Sequence, residues 1–383
     1  MSAVRALRWR VLADDLTGAL DSSAALCGRG ALPVHLHPPV DDAAPLSALC
    51  TGTRDVTVAV MQTRLASALP WLRDGTLAFK KVDSLLRGNT LQECAWLLRH
   101  AGFEQAVFAP AFPAQGRFTE RGVHWVAPPH RPRRGQGDVC HGDLVRAFDA
   151  LGVSASTGAT LSACGNAQVL VPDVLDDHAL DQIAASSMAG LAGPAAPRRL
   201  WCGSAGLALA LARRHGLTPD SASPPPAAVG PLLLATASRH PVLREQLRQL
   251  RATLPLHTPA SLRPDVDAHC LAVDLSSIMP QAPEAAAAAL ARHARELVER
   301  LAPPRMLVVI GGDTLLALCE AAGVRALVAE PGPRVGWGRA TLLGGRWDGA
   351  VCLSRSGAFG APDISLSCSP CSCPRGVPAL PPN

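Results

Sequence analysis

The chain has 383 residues, 48% of them hydrophobic, 17% charged and 4% aromatic, which is apolar material for two cores and disfavours a single domain. Its formal net charge is only +5, with 36 basic residues scattered among 31 acidic ones, so neither a nucleic acid nor an anionic membrane surface meets a concentrated basic face. No window offers the roughly 18 uninterrupted apolar residues of a bilayer span, and the first ten residues lack the apolar stretch of a secretory signal. The expected location is cytoplasmic.

In chain order, short apolar runs at 9–13, 56–60, 77–80, 106–109 and 169–171 read as strands, with helical patterns at 91–101 and 179–189 between them. Residues 221–230, Ser-Ala-Ser-Pro-Pro-Pro-Ala-Ala-Val-Gly, cannot form a helix or a central strand and read as a linker. Beyond it, strands are expected at 232–235, 270–273, 306–310 and 351–353, and helices at 283–301 and 314–322. Strand-then-helix repetition predicts the fold class: α/β, as two α/β domains with mainly parallel sheets and an interdomain cleft. The expected division is 1–220, a linker at 221–230, 231–366, and a tail at 367–383 without a fold of its own.

Nine of the 12 cysteines stand singly among apolar or small residues, where a reduced thiol packs as a small hydrophobe. Cys368, Cys371 and Cys373 cluster in the Pro-rich tail with no histidine nearby, one ligand short of a zinc site. No metal site is expected in the protein.

Open parallel sheets bind ligands at the carboxyl ends of their strands, and the residues there are few. No Gly-x4-Gly-Lys phosphate loop and no Gly-x-Ser-x-Gly elbow occurs, which removes the main support for a P-loop ATPase or a serine hydrolase. The first strand runs into Ala13-Asp14-Asp15-Leu16-Thr17-Gly18-Ala19. Two consecutive carboxylates there either cap the next helix or face a ligand, and one can do each.

The segment Lys80-Lys81-Val82-Asp83-Ser84-Leu85-Leu86-Arg87-Gly88-Asn89 holds the only two lysines of the chain. Arginine has replaced lysine everywhere else, so a site that keeps the compact ammonium points to a need for it. Lys81 offers a point charge, Arg87 a planar fork for a carboxylate, and Asp83 an acceptor for a hydroxyl. The plain alternative is a solvated charged turn. The Pro110–Arg117 stretch and Trp201-Cys202-Gly203-Ser204-Ala205-Gly206 are weaker signals of the same kind. In the second half, Ile310-Gly311-Gly312-Asp313-Thr314 runs from a strand into a helix start, where bare amides favour phosphate. Ser354-Arg355-Ser356-Gly357-Ala358-Phe359-Gly360 and Ala237-Ser238-Arg239-His240-Pro241 follow two other strands. Three such loops at one edge of a sheet would make a nucleotide pocket.

Taken in order, A-D-D-L-T-G-A, K-K-V-D-S-L-L-R-G-N, A-P-A-F-P-A-Q-G-R, G-S-A-G-L-A, I-G-G-D-T and S-G-A-F-G resemble the four-carbon acid sugar kinase family, which includes threonate, erythronate and 3-oxo-tetronate kinases. The likeness covers about residues 8–126 and 165–364. It implies a sugar-acid domain followed by an ATP domain, with Mg²⁺ alongside the nucleotide and the γ-phosphoryl passing to the terminal hydroxyl of the acid. Carried over by position, Asp14, Asp15, Lys81, Asp83, Ser84 and Arg87 would face the sugar acid, with Asp15, Asp83 and Arg87 acting in catalysis. Ser238, Gly311, Gly312, Asp313, Thr314, Gly357 and Gly360 would face the nucleotide. The implied partners are the sugar acid and ATP, with a homodimer as an option. Two departures stand out: a basic, Pro-rich 127–137, and Thr-Ala-Ser-Arg-His-Pro at 236–241 where the family tends to have a Gly-Ser-Cys-Ser-Pro run. They favour a rival reading, a binding or regulatory protein of the same fold that does not transfer phosphate; a kinase for another small sugar acid is a further alternative.

Overall fold

The computed structural model describes residues 7–39, 41–127, 137–188, 197–219, 231–252, 254–262 and 270–359. The expected linker at 221–230, most of the basic 127–137 stretch, Gly360 and the tail cysteines lie outside the described residues.

The first half contains β1 (Trp9–Ala13), α1 (Leu16–Leu26), β2 (Leu32–His35), β3 (Leu46–Cys50), α2 (Val58–Arg73), β4 (Leu77–Lys81), α3 (Thr90–His100), β5 (Gln105–Ala109), β6 (Arg117–Glu120), β7 (Val123–Val126), β8 (Asp138–His141), α4 (Leu144–Ala150), β9 (Ala155–Gly158), β10 (Val169–Pro172), α5 (Asp177–Ala185), β11 (Arg199–Gly203) and α6 (Ala205–Arg214). The second contains β12 (Leu232–Thr236), α7 (Pro241–Leu250), β13 (Leu256–His257), β14 (Cys270–Asp274), α8 (Pro283–Arg300), β15 (Met306–Ile310), α9 (Gly312–Ala321), β16 (Ala326–Glu330), β17 (Trp337–Leu343) and β18 (Val351–Arg355). The unalternating apolar runs became strands buried along their whole length, as β1, β4 and β15 illustrate.

One 15-stranded sheet collects most of these strands, in the order β13-β14-β12-β15-β18-β17-β16-β2-β3-β1-β4-β11-β5-β10-β9. A second sheet, β6-β7-β8, is antiparallel. The large sheet is parallel except where β16 meets β17, β17 meets β18, and β16 meets β2. The α/β class and the mainly parallel pairing therefore match expectation. The two halves, however, join edge to edge: β2 pairs with β16 from Leu32–Ala329 to His35–Ala326. One apolar cluster runs through both, from Val11 and Leu20 to Val309, Leu327 and Leu342.

The expected strand at 56–60 is not one. Thr57 caps α2, accepting a hydrogen bond from the Val60 amide, and Val58 and Val60 lie exposed on its first turn. A side-chain cap outcompetes the β preference of two valines when neither is buried.

α1 packs on β1 and α6 from its own half and on β17, β18 and α9 from the other. A helix covered on all sides should be apolar or small all round, and Leu16, Gly18, Ala19, Leu20, Ser22, Ser23 and Leu26 are all buried. The approach is closest at β17, where a Cβ on Gly338 would stand 2.4 Å from Leu20 Cβ. Thr17 Oγ1 and Ser354 Oγ share a buried hydrogen bond of 3.0 Å across the same seam. Among the described residues no helix is long and apolar enough to cross a membrane.

Overpacking this seam gives a direct test. Gly338→Ala should destabilise the protein by about 1–3 kcal/mol, read as a lower urea midpoint with an unchanged slope; an unaltered midpoint would show that β17 is free to move off α1.

Candidate functional site

The site gathers at the carboxyl ends of β1, β3 and β4. Asp15 ends the β1 turn in an extended conformation and caps α1, with Oδ1 accepting from the Gly18 amide at 2.9 Å. Asp14 takes the other role. Arg54, in the loop after β3, grips it through Nε–Oδ2 at 2.7 Å and Nη2–Oδ1 at 3.1 Å, and its Nη2 also reaches Asp15 Oδ1 at 2.8 Å. Burial disfavours the Asp14 carboxylate, but Arg54 and then Lys80 outweigh it and hold its pKa below the ordinary carboxylate range. Arg54 is in turn held in its charged form: burial opposes it, and Asp14, Asp15 and Asp83 raise its pKa well above the usual value. The loop after β4 closes over it. Asn89 donates its amide to the Arg54 carbonyl at 3.1 Å, and Gly88, at φ +67°, lies where any Cβ would stand 2.1 Å from that oxygen.

The two lysines divide. Lys80 is buried and pairs with Glu93 of α3 at 2.7 Å. Burial works against its ammonium, and Glu93 with Asp14 overcomes this and raises its pKa. Lys81 is also buried, yet its Nζ donates to the Val82 carbonyl at 3.0 Å and meets no carboxylate at ion-pair distance among the described residues. A Cβ on Gly18 would touch both Lys81 Nζ, at 2.9 Å, and Asp15 Oδ1, at 2.5 Å. The ammonium and the carboxylate thus flank the first turn of α1.

Arg87 already holds a carboxylate, that of Asp83, with two bonds of 2.7 Å. Burial alone would raise the Asp83 pKa, but Arg54 and Arg87 hold it far below the ordinary range. Ser84 is buried, and its carbonyl accepts from His124 Nε2 at 2.9 Å while His124 Nδ1 meets Thr119 Oγ1 at 2.8 Å. Burial pushes the His124 pKa down to about 4. The ring is neutral at pH 7, with Nε2 the donor to Ser84.

The second half contributes the ends of β12, β15 and β18. Gly311, at φ +115°, precedes α9 with no side-chain cap, and a Cβ on Gly312 would lie 2.1 Å from Asp15 Oδ2. Thr314 Oγ1 accepts from the Ala237 amide at 3.1 Å, Ser238 Oγ from the His240 amide at 3.3 Å, and a Cβ on Gly357 would stand 2.5 Å from Ser238 Oγ. Asp313 is exposed as a residue, but its carboxyl faces the acidic wall. Loss of solvent there, opposed by Arg54 and reinforced by Asp15, Asp55 and Asp14, pushes its pKa up to about 6.

Asp14, Asp15, Lys81, Asp83, Ser84 and Arg87 therefore form one group and Ser238, Gly311, Gly312, Asp313, Thr314 and Gly357 a second. They meet where Asp15 touches Gly312. Sequence reasoning missed Arg54, Glu93 and His124. A strand assigned at 46–50 would have put Arg54 at a strand end; Glu93 and His124 carried no local signal. A cavity of about 910 Å³ lies elsewhere, beside Gln105, Asn166, Gln182 and Arg199 at the amino ends of β5 and β11, and includes none of the site residues.

Asp21, one turn along α1 from Thr17, is buried at the floor of a 330 Å³ cavity with Phe112, Arg334 and Trp337. Burial, opposed by Lys81 and reinforced by Asp15, pushes its pKa up to about 6. A pKa raised on folding means that the folded chain binds the proton more tightly, so the contribution is whole below the unfolded value of about 4 and lost as pH rises through 6. Asp21→Asn should therefore leave unfolding unchanged at pH 4 and stabilise the protein by on the order of 2 kcal/mol at pH 8. Equal effects in urea melts at the two pH values would refute the assignment.

The chain is similar to several known proteins. A family model described as a sugar-binding N-terminal domain matches residues 9–141. The D-threonate kinase of Bordetella bronchiseptica is 29% identical over 401 aligned residues, covering 93% of this chain and 95% of that one. The D-threonate kinase of Cupriavidus necator is 30% identical over 376, covering 85% and 89%. Among solved structures, a Salmonella typhimurium LT2 protein described as a tRNA synthase superposes with a TM-score of 0.67 at 18% identity, over 93% of this chain and 97% of that one. A Haemophilus influenzae protein gives 0.61 at 18%, over 92% and 97%; at such identity both speak for the fold alone. Full-length likeness to two D-threonate kinases, together with the six ordered motifs, establishes that the chain belongs to the four-carbon acid sugar kinase family.

Proposed function

We propose that the protein is an ATP-dependent kinase that phosphorylates the terminal hydroxyl of a four-carbon sugar acid of the threonate, erythronate or 3-oxo-tetronate type. The two halves act as lobes, the first taking the sugar acid and the second the nucleotide. The single observation that carries this reading is the contact of Asp15 Oδ2 with Gly312, which makes a carboxylate at a sugar-side strand end the neighbour of an uncapped helix start. Names borne by relatives supply the substrate class: two D-threonate kinases align over most of the chain.

Phosphoryl transfer needs positioning and charge neutralisation more than covalent help. Asp15 is the better proton acceptor of the two carboxylates considered, because both oxygens of Asp83 are held by Arg87. Arg54 and the Gly18 amide fix one Asp15 oxygen and leave Oδ2 on the side of Gly312. The substrate hydroxyl gives its proton to Asp15 as its oxygen bonds to the γ-phosphorus, and the bond from that phosphorus to the bridging oxygen breaks to release ADP. Lys81, free of carboxylates, draws the substrate's charged end toward α1. Asp14 and Arg54 hold Asp15 in place; Asp83 and Arg87 shape the wall beside it, with Ser84 behind. The amides of Gly311, Gly312, Asp313 and Thr314 receive phosphate together with Ser238 and Gly357, a cradle in which a side chain on residue 357 would collide with Ser238. Mg²⁺ arriving with ATP would offset phosphate charge and would be held mainly by phosphate oxygens and water, with Asp313 the carboxylate that could join them.

ADP release measured against a panel of four-carbon sugar acids tests the reading. Asp15→Asn keeps a capping side chain, so the variant should fold while kcat falls by about 10²–10⁴. Full turnover in that variant, or a wild-type protein that releases no ADP with any four-carbon acid, would overturn the proposal.

A further inference from the structure

Most cations of the site are neutralised from within: Arg54 by Asp14 and Asp15, Arg87 by Asp83, Lys80 by Glu93. Arg117 is different. It opens β6 at 7% exposure, more than nine-tenths buried, and no carboxylate among the described residues forms an ion pair with it. One guanidinium nitrogen donates to the Gln115 carbonyl and another to the Ala358 carbonyl, the latter at 3.3 Å, while the planar face lies 5.3 Å from the Phe359 ring centre. Its Nε has no partner.

Two neutral carbonyls and a ring steady the fork without balancing its charge, and a buried cation left so is costly unless an anion completes it. The surroundings favour one. Arg117 lies within the electrostatic reach of Asp83 and Arg87 on the sugar side. On the other side it is bonded to the loop that carries Gly357. His240, next to Gly357, likewise has a buried ring nitrogen, Nδ1, without a partner and feels both Arg87 and Arg117. Unpartnered buried nitrogens from the two halves converge on this seam.

We infer that Arg117 is the receptor for an oxyanion of the reacting pair, the carboxylate of the sugar acid or a phosphate of the nucleotide, at the seam between the 83–87 loop and the loop after β18. The inference rests on the kinase reading. It adds a guanidinium to that reading at the position where Arg87, already bound to Asp83, leaves a vacancy of charge. Because the fork is anchored on Ala358, anion binding and docking of the 356–359 loop are served by one side chain.

The test compares the full-length wild type with Arg117→Gln and Arg117→Lys by calorimetric titration with D-threonate and with ATP, and by steady-state ADP release. If the anion is the carboxylate, Arg117→Gln raises Kd and KM for D-threonate by about 10–100-fold, the range of a lost charge-assisted bond, leaving ATP affinity and any weak turnover of the neutral polyol threitol unmoved. If it is a phosphate, ATP affinity or kcat falls by a similar factor and D-threonate binding holds. Arg117→Lys, which keeps the charge without the fork, should recover part of either loss and serves where the glutamine variant does not fold. Affinities and kcat within twofold of wild type for both variants overturn the inference, as does an equal loss of threonate and threitol turnover with both Kd values intact. A wild-type protein that binds D-threonate yet releases no ADP with any four-carbon sugar acid sinks the kinase reading alone, since the titrations still decide Arg117; a wild type that binds neither ligand sinks both.

Discussion

Asp15 places one carboxylate between the first turns of two helices that belong to different halves of the chain. Oδ1 is spent on the Gly18 amide at the start of α1 and on Arg54, and Oδ2 lies against Gly312 at the start of α9. Negative charge is favoured at both helix ends, so a single side chain caps α1, sets its charge beside the uncapped start of α9 and ties the halves together. Several features follow from that placement. Residue 312 has to be glycine, because a Cβ there would occupy the carboxylate. Arg54 has to be buried and doubly engaged, since two adjacent carboxylates without a guanidinium would be driven to neutralise.

Around that carboxylate the charges alternate in a chain that is buried except at Arg87: Glu93 with Lys80, Asp14 and Asp15 with Arg54, Asp83 with Arg87. Buried pairs of this kind contribute little net stability, because desolvation offsets most of their attraction. Their value lies in geometry. Two of the links fix neighbouring elements against each other, the β1 loop to the β3 loop through Arg54 and the β4 strand to α3 through Lys80, while Asp83 and Arg87 brace a single loop. His124 does the same from the small antiparallel sheet, with a neutral ring bonded to the Ser84 carbonyl. Lys81 and Arg117 stand outside the pairing, which is why ligand chemistry is assigned to them rather than to the lysine and arginines that are already matched.

Buried parallel strands were legible in the sequence because a strand covered on both faces needs a largely apolar run, which Met306–Ile310 supplies without a break and Trp9–Ala13 supplies but for Arg10. The rule failed in both directions around residue 50. Leu-Ser-Ala-Leu-Cys lacks β-branched residues and went unnoticed as β3, while the valines at 56–60 drew a strand where Thr57 starts a helix. That one exchange hid Arg54, since attention to strand ends is only as good as the strands. The carboxylates and lysines of the site were legible from their crowding, but their partners were not. Nothing local distinguishes Lys80 from Lys81; the difference is Glu93, which the fold delivers from a helix face. The edge-to-edge union of the two sheets was likewise invisible, as β2 and β16 are short strands with only alternating burial.

That union explains how two ligand edges become one site. Three of the six steps from β1 to β15 are antiparallel, so the strands of the second half run against those of the first, and in a flat sheet their carboxyl ends would point to opposite margins. Sheets are not flat. With a twist of about 20–25° between neighbouring strands, six steps accumulate on the order of 120–150°, enough to turn the second set of carboxyl ends back toward the first. The space enclosed by that turn is where α1 lies, buried along most of its length and pressed against Gly338 of β17 and Ser354 of β18. A helix from the first half is therefore the axle about which the sheet winds. Its amino end, carrying Asp15, is delivered to α9 by the same twist that reverses the strands.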